Sequence, residues 1–206
     1  MAERTRNTAA LRARRKAALE VKLLGAIESL HDRGLAYGDM SVEQLITEAD
    51  VTRSTFYSYF EDKDALLRDL AGTVLDELLR PWFAIEPEGS KDDLRRGIDG
   101  IFRTYRAHRV IMIAIDEPIP GGSAEREFTG LMARAGAAVS AYVKAGQAAG
   151  LVDPGLDATT VAALLMWMSE RGLAKLVANA PMREIDGLAQ GLTEIFWRTL
   201  RGSTAV

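Results

Sequence analysis

Side chains able to recognise an anion or a nucleobase are concentrated in one short stretch that begins just after position 50. Phe56 and Phe60 are four residues apart, which places them on one face of a helix and predicts that this face is buried. Arg53, Ser54 and Tyr57 then share the opposite, outward face. Guanidinium, hydroxyl and phenol groups donate hydrogen bonds to phosphates and base edges, whereas the outer face of an ordinary bundle helix carries Glu, Lys and Ala. The composition of this face favours a nucleic acid as the partner.

Two capped helices joined by a tight turn are predicted to position that face. Ser41 and Gln44 have the spacing of a capping box, in which each side chain bonds the backbone N–H of the other residue. The first helix is expected to end near Asp50, a residue type that tolerates the left-handed backbone of a turn. Thr52 is the candidate N-cap of the second helix. The pattern predicts a helix-turn-helix, although a capped helical hairpin with an aromatic stripe also occurs in bundles without a DNA role.

The residue identities in this region resemble a known family. The run from Val51 to Leu67 has a Val ending the turn, a hydroxyl, an aromatic pair, a terminal Phe, then Lys and a Leu pair. It resembles the recognition-helix signature of TetR-family transcriptional repressors. With Leu23-Leu24-Gly25-Ala26 and Gly34 upstream, the resemblance extends over residues 20 to 70, and Asp50 departs from it by standing where the family usually has Gly. The resemblance implies a dimeric repressor that leaves its operator when a small molecule binds.

The resemblance also assigns roles to single residues. It implies that Lys63 holds a phosphate and that the neighbouring hydroxyl and phenol groups contact backbone or bases, and we expect Arg53 to read base edges. Thr52 has an alternative role as a helix cap only, and Tyr59 as a partly buried core residue. The residues predicted to contact double-stranded operator DNA are Ser41, Thr52, Arg53, Ser54, Thr55, Tyr57, Tyr59 and Lys63.

Length and composition limit the class of protein. A chain of 206 residues, 48% of them hydrophobic, can bury a core as one ordinary domain or two small ones. It contains no cysteine, which excludes disulfides and thiolate metal sites. No apolar run reaches the length of about eighteen residues that a membrane span needs, and no apolar segment follows the N-terminal arginines. We therefore expect a cytoplasmic protein with no membrane partner and no cofactor.

The charge is distributed unevenly along the chain. The formal net charge is −3, but residues 1 to 22 hold seven basic and two acidic residues, a net +5, which leaves −8 for the remainder. A basic arm before a helix-turn-helix is suited to following the DNA backbone or minor groove, because it gains affinity by releasing counterions. We expect residues 1–18 to form such an arm, partly disordered. A solvated tail without a DNA role is the alternative.

Beyond the helix-turn-helix, the sequence indicates one helix after another, with no period-2 strand pattern. The predicted fold is all-α with about nine helices. A three-helix helix-turn-helix domain occupies residues 19–63, and a helical ligand-binding and dimerisation domain occupies residues 64–206. Pro81 is expected to end or kink a helix. The last two helices carry apolar residues at spacings of three and four, and the resemblance implies that they form a homodimer interface through Leu164, Leu165, Met168, Leu176, Ile185, Leu188, Leu192, Ile195 and Thr199.

The second domain is rich in large, adaptable side chains, which either fill a core or line a lipophilic pocket. Residues 165 to 173 resemble the mid-bundle segment of the EthR-like subgroup of the family, which has a long apolar channel. Met166 and Ser169 stand where two asparagines of that subgroup present amides to the ligand, which predicts a more apolar small-molecule effector here. The predicted lining residues are Trp82, Phe102, Tyr105, Met112, Phe128, Met132, Tyr142, Met166, Trp167, Ser169 and Glu170.

Two charged groups near this region have alternative interpretations. Glu170 and Arg171 are either polar contacts to a ligand or a helix–helix ion pair. The cluster from Arg106 to Arg109, beside Tyr105, is either a receptor for a carboxylate or phosphate head group or a solvated helix end. A solvated helix end is the more common role of such a cluster.

Arrangements of catalytic residues are missing from the sequence. It has two histidines, which fall in different predicted domains, and it has no HExxH, glycine-rich phosphate loop or GxSxG elbow. We therefore expect a DNA-binding regulator and not an enzyme. The alternative is a helical carrier or adaptor for lipids or small molecules, which would keep the pocket and the dimer but have no use for the Arg53 face.

Overall fold

The computed structural model describes residues 2–116, 123–178 and 180–201, and this part of the chain is helical throughout, without a strand. The predicted all-α fold is confirmed. A short 3₁₀ turn at Tyr37–Asp39 precedes the second helix, and a π-helical segment at Leu173–Val177 follows the eighth. The helices are α1 Ala2–Asp32, α2 Val42–Glu48, α3 Arg53–Tyr57, α4 Lys63–Phe83, α5 Lys91–Ala107, α6 Arg109–Asp116, α7 Ser123–Ala148, α8 Ala158–Gly172 and α9 Met182–Arg201.

Local capping signals produce the helix-turn-helix as the sequence predicts. Ser41 and Gln44 form the complete capping box at the start of α2. Asp50 has a φ of +50°, so the turn adopts the left-handed backbone without glycine. The Thr52 hydroxyl accepts a hydrogen bond from the Thr55 backbone N–H at 3.2 Å and so caps α3. Each of these contacts spans at most three residues, which explains why the sequence alone identified the motif.

The basic arm differs from expectation, because α1 begins at Ala2 and makes the arm a helix. Alanine, leucine and arginine are among the strongest helix formers, and no glycine or proline interrupts the chain before Gly25. The helix is attached to the elements after it: Lys16 Nζ lies 2.6 Å from Asp69 Oδ2 on α4, and Arg12 donates to the Ser58 carbonyl at 3.4 Å. The arm's basic side chains are thus carried on a helix that packs beside the helix-turn-helix.

Helix α4 passes through Pro81 and ends at Phe83, so the helix end expected near Pro81 comes two residues later. Proline lacks the N–H that would bond the carbonyl four residues earlier, and the helix continues for only two residues beyond it. Helix α5 approaches closely at this point: a Cβ added at Gly100 would lie 2.8 Å from the Pro81 Cγ. This close approach brings the inner faces of α4 and α5 together.

Helices α4 to α9 form one body around a shared core. Helix α4 packs against α5, α6 and α7, while α8 packs on α7 and α9 packs on α5. The core runs without a break from the helix-turn-helix into this body, since α4 contributes buried residues along its whole length. Within the described residues, no helix is both long enough and apolar enough to cross a bilayer.

Candidate functional sites: a recognition helix and an internal cavity

Helix α3 buries one face and exposes the other. Phe56 is fully buried, and its ring packs against those of Phe60, at 5.5 Å between centroids, and Tyr57, at 5.3 Å. The Arg53 side chain is 64% exposed and Tyr57 is 45% exposed. The hydroxyl residues Thr52, Ser54 and Thr55 are exposed with them. The structure therefore places five of the eight predicted DNA contacts together on one surface, which we call the α3 face: Thr52, Arg53, Ser54, Thr55 and Tyr57.

Neighbouring side chains hold Arg53 in place. Its guanidinium is ion-paired with the Glu43 carboxylate on α2, at 2.5 Å, and lies 5.4 Å from the centre of the Tyr57 ring. An arginine restrained in this way loses less rotamer entropy when it bonds a base or a phosphate. The pair also offsets the Glu43 charge, which would otherwise face a polyanion.

Several of the other predicted contact residues already interact with neighbouring protein groups. The Thr52 hydroxyl lies 2.8 Å from the Thr55 hydroxyl and 3.1 Å from that of Ser54, so these three groups form one hydrogen-bonded cluster. Ser41 is exposed but is engaged in its capping box. Tyr59 is half-buried, and the Arg12 guanidinium of α1 lies 5.8 Å from its ring centre. Capping and packing thus account for part of what Ser41, Thr52 and Tyr59 do.

The Lys63 ammonium is directed into the protein. It donates to the carbonyl oxygens of Met40 at 3.0 Å, of Tyr37 at 3.3 Å and of Gly38. In return the Tyr37 hydroxyl donates to the Lys63 carbonyl at 2.5 Å. Burial raises the pKa of Tyr37, so the phenol stays protonated and able to donate. Lys63 as placed holds the 3₁₀ turn against the start of α4, and a phosphate contact would have to compete with three carbonyls.

A cavity of about 420 Å³ lies inside the body, between α4, α5, α6, α7, α8 and α9. Its size is within the range of small-molecule sites. Nine of the eleven predicted lining residues reach it: Trp82, Phe102, Tyr105, Met112, Phe128, Met132, Met166, Ser169 and Glu170. The walls are mainly aliphatic and aromatic, which suits a lipophilic molecule.

Two predicted lining residues lie elsewhere. Trp167 is 55% exposed on the outer side of α8, because a helix turns about 100° per residue and Met166 and Glu170 already define the inner side. Tyr142 packs its ring against that of Trp82, at 6.0 Å between centroids, and so supports the cavity wall from behind. Residue type alone predicts that both residues line the cavity. The helix register, which decides the side of the helix on which each residue lies, places them outside the lining.

Sequence reasoning missed much of the cavity. The additional lining residues are chiefly aliphatic side chains on α4, α5, α6, α7, α9 and the π-helical segment, which are indistinguishable from ordinary core in a sequence. Helical spacing from Trp82, Phe102 and Met132 could have identified several of them. The missed residues are Leu78, Leu79, Ile98, Ile101, Ile113, Ile115, Asp116, Leu131, Ala135, Leu173, Ala174, Lys175, Ala178, Leu192 and Phe196.

The polar groups of the cavity are gathered around Glu170. Its side chain is 12% exposed, and its Oε2 is buried without a hydrogen bond within the described structure, with Arg171 Nε 3.5 Å away. Burial raises the pKa of Glu170 despite the neighbouring Arg171. Burial also raises the pKa of Tyr105 to about 12, with smaller contributions from Glu170 and Asp116. Tyr105, Asp116, Ser169 and Glu170 thus form the polar part of the lining.

The basic cluster beside Tyr105 is occupied by protein partners. Arg106 donates to the Ala178 carbonyl at 2.9 Å, and Arg109 lies 3.1 Å from the Asp32 carboxylate. His108 Nε2 lies 3.1 Å from the Glu77 carboxylate. The cluster ties α5 and α6 to neighbouring elements, so its charges are not free to receive an anionic head group.

Sequence comparison matches both halves of the chain to one class of regulators. Residues 23–70 match the family described as "Bacterial regulatory proteins, tetR family". Residues 94–202, more than half of the chain, match "Transcriptional regulator EthR, C-terminal domain". The chain belongs to the TetR family, with an EthR-type C-terminal domain.

Individual relatives agree with this assignment. The "HTH-type transcriptional regulator EthR" of Mycolicibacterium smegmatis is 28% identical over 175 residues, which cover 82% of this chain and 81% of the relative. The protein of the same name from Mycobacterium tuberculosis is 33% identical over 97 residues, 45% of this chain and 44% of that one.

Solved structures share the fold at lower identity. NalD of Pseudomonas aeruginosa superposes with a TM-score of 0.72 at 16% identity, covering 91% of this chain and 99% of NalD. FadR of Bacillus subtilis in complex with stearoyl-CoA has a TM-score of 0.69 at 16% identity, covering 87% and 98% of the two chains. Likeness at this level of identity shows the fold alone.

As a TetR-family member the chain is a helix-turn-helix transcriptional regulator, as its sequence predicts. The relatives are regulators and not carriers, so the carrier alternative loses its support.

Large apolar side chains are exposed on α8, on the π-helical segment that follows it and on α9. We call them together the α8–α9 face; they are Leu164, Trp167, Met168, Leu176 and Ile195. Not all residues of the stripe predicted for dimerisation are exposed, and a dimer role for the exposed ones stays a prediction. Leu165 and Ile185 are buried within the subunit and Leu192 lines the cavity, because each lies on the inner side of its helix.

Proposed function

We propose that two copies of this regulator pair through their α8–α9 faces and place their α3 helices in successive major grooves of a near-palindromic operator. Successive major grooves on one side of B-DNA are about 34–36 Å apart, which sets the separation of the two recognition helices. The five large apolar residues exposed on the α8–α9 face support self-association, since a monomer leaves such patches uncovered only at a cost. Binding at a promoter would repress transcription.

The observation that carries this proposal is the composition and restraint of the α3 face. Arg53 and Tyr57 are exposed together, with Arg53 oriented by Glu43. We assign base reading to Arg53, which can bond a guanine through two donors, and backbone or base contacts to Ser54, Thr55 and Tyr57. Thr52 and Ser41 contribute mainly by capping the helices that present these groups.

Release of DNA is assigned to a lipophilic effector in the cavity, with α4 as the connection. The N-terminal residue of α4, Lys63, holds the 3₁₀ turn of the helix-turn-helix. About four turns or more further along, Leu78, Leu79 and Trp82 of the same helix line the cavity. A ligand that binds better to a conformation with α4 displaced would move the two α3 helices away from groove spacing. Only such a difference in affinity can couple the two sites.

DNA binding is tested with the purified protein and a labelled duplex from its own upstream intergenic region, at two salt concentrations. We expect saturable binding by an even number of subunits that resists scrambled competitor DNA and weakens with salt. Replacing Arg53 and Tyr57 together by Ala should abolish specific binding without altering the far-UV circular dichroism. Arg103→Ala, at an exposed position on α5, is the matched control. Unchanged affinity in the double variant would overturn the assignment of the α3 face.

A further inference from the structure

The cavity combines an apolar body with one deep carboxylate that protein groups satisfy poorly. Glu170 reaches the cavity from α8, and its Oε2 is buried without a hydrogen bond within the described structure. Its nearest cation is Arg171, the next residue along the helix, whose Nε lies 3.5 Å from Oε2, a longer distance than that of a charge-assisted hydrogen bond. The Arg171 side chain is 57% exposed, so solvent shares its charge. A buried carboxylate without strong partners is energetically unfavourable. A ligand that supplies a hydrogen-bond donor or a cation would stabilise it.

The other polar groups of the lining favour a cation over an anion. The Tyr105 ring lies in the cavity wall, and an aromatic face attracts an ammonium group. Asp116 and Lys175 also line the cavity, but both are exposed and opposite in charge. The arginines that could have received an anion are used elsewhere, since Arg106 bonds main-chain carbonyls.

We propose that the effector is a lipophilic amine, whose ammonium group pairs with Glu170 beside Tyr105 while its hydrocarbon body fills the cavity between Trp82, Phe128 and Met132. This inference specifies the ligand class for the cavity to which the proposed function assigns the effector. A fatty acid would bring a second negative charge next to Glu170. A neutral lipid would leave the Glu170 carboxylate buried and unpaired.

The test uses three probes that share one alkyl chain and differ in the head group: dodecylamine, 1-dodecanol and dodecanoate. Binding is measured by calorimetry below the concentration at which each probe aggregates. At pH 7 we expect the amine to bind at least tenfold more tightly than the alcohol, and the acid to bind most weakly. Glu170→Gln keeps the side-chain shape but removes the charge, and it should lower the affinity for the amine at least tenfold while leaving that for the alcohol unchanged.

Controls separate charge from structure. Glu184→Gln makes the same chemical change at an exposed position on α9 and should leave all three affinities unaltered. Asp116→Asn provides a second variant, with a smaller expected loss of amine affinity because Asp116 is exposed. Equal binding of amine and alcohol to the parent chain would overturn the inference. So would an amine affinity that Glu170→Gln does not change.

Operator release is measured separately, by adding each probe to the protein–operator complex. If the alcohol or the acid releases DNA as well as the amine does, the amine inference fails while cavity-driven release stands. If the amine binds through Glu170 but leaves the operator complex intact, the ligand class stands and the proposed release mechanism fails. The two proposals therefore fail on different measurements.

Discussion

The α3 face and the cavity differ in how their polar groups are satisfied. On the α3 face, Thr52 caps its own helix, and Arg53 is paired with Glu43. In the cavity, Glu170 and Tyr105 come from helices distant in sequence, and the Glu170 Oε2 accepts no hydrogen bond from the described residues. The first surface is organised without a bound partner, whereas the second keeps one carboxylate oxygen without a hydrogen bond within the described residues. This difference suits the proposed mechanism, in which the DNA-binding conformation is the default and the ligand-bound conformation is induced.

Breaking the pairing of subunits should give the largest effect. Replacing Leu164 and Trp167 together by Glu puts two charges into the α8–α9 face, where both residues are exposed in the single chain. We expect a monomer by analytical ultracentrifugation and a fall in operator affinity of about 10²-fold or more, because the second half-site is no longer bound intramolecularly. Val21→Glu, at a 71% exposed position on α1, is the matched control. A dimeric double variant would exclude this face as the interface.

A substitution of Lys63 can show whether this lysine stabilises the fold or contacts DNA. Lys63→Met removes a cation that bonds three main-chain carbonyls. Urea unfolding should therefore show a loss of about 1–3 kcal/mol. Arg53→Met, at an exposed ion pair, should change stability by less than about 0.5 kcal/mol. Unchanged stability of Lys63→Met, together with a salt slope of DNA binding reduced by about 1, would assign the lysine to a phosphate instead.

Filling the cavity tests whether its empty volume is the ligand site. Ala174, in the π-helical segment, lines the cavity, so Ala174→Phe should occupy space that a ligand needs. We expect the affinities for dodecylamine and dodecanol to fall at least tenfold, which is about 1.4 kcal/mol, while operator binding without ligand is retained. Ala145→Phe, at an exposed position on α7, is the matched control. Full ligand affinity in Ala174→Phe would place the binding site elsewhere.

The same contrast explains what the sequence could predict. The helix-turn-helix was identifiable because its capping box, its left-handed Asp50 and its aromatic pair involve residues at most four apart. The residue types of the second domain indicate a pocket but do not identify which residues line it. The walls come from six helices, and only the fold determines the register of those helices. Trp167 and Tyr142 were assigned to the lining on type alone and lie outside it. The charge of the arm alone does not predict its helix, because a highly charged segment is typical of a solvated tail, whereas its alanines and arginines favour a helix.

The smallest expected effect concerns the stability cost of the unsatisfied carboxylate. Burial raises the pKa of Glu170, so the folded state favours the protonated form more than the unfolded state does. The ionised carboxylate therefore reduces stability as pH rises above the unfolded value of about 4.3. Glu170→Gln carries no charge and should raise Tm at pH 7 by about 2–4 °C, or about 1 kcal/mol. The gain should shrink toward zero as the pH of the calorimetric scan approaches that unfolded value. A Tm gain that is independent of pH, or a loss at pH 7, would mean that Glu170 is satisfied in the free protein and that the cavity holds no unmet interaction for a cation.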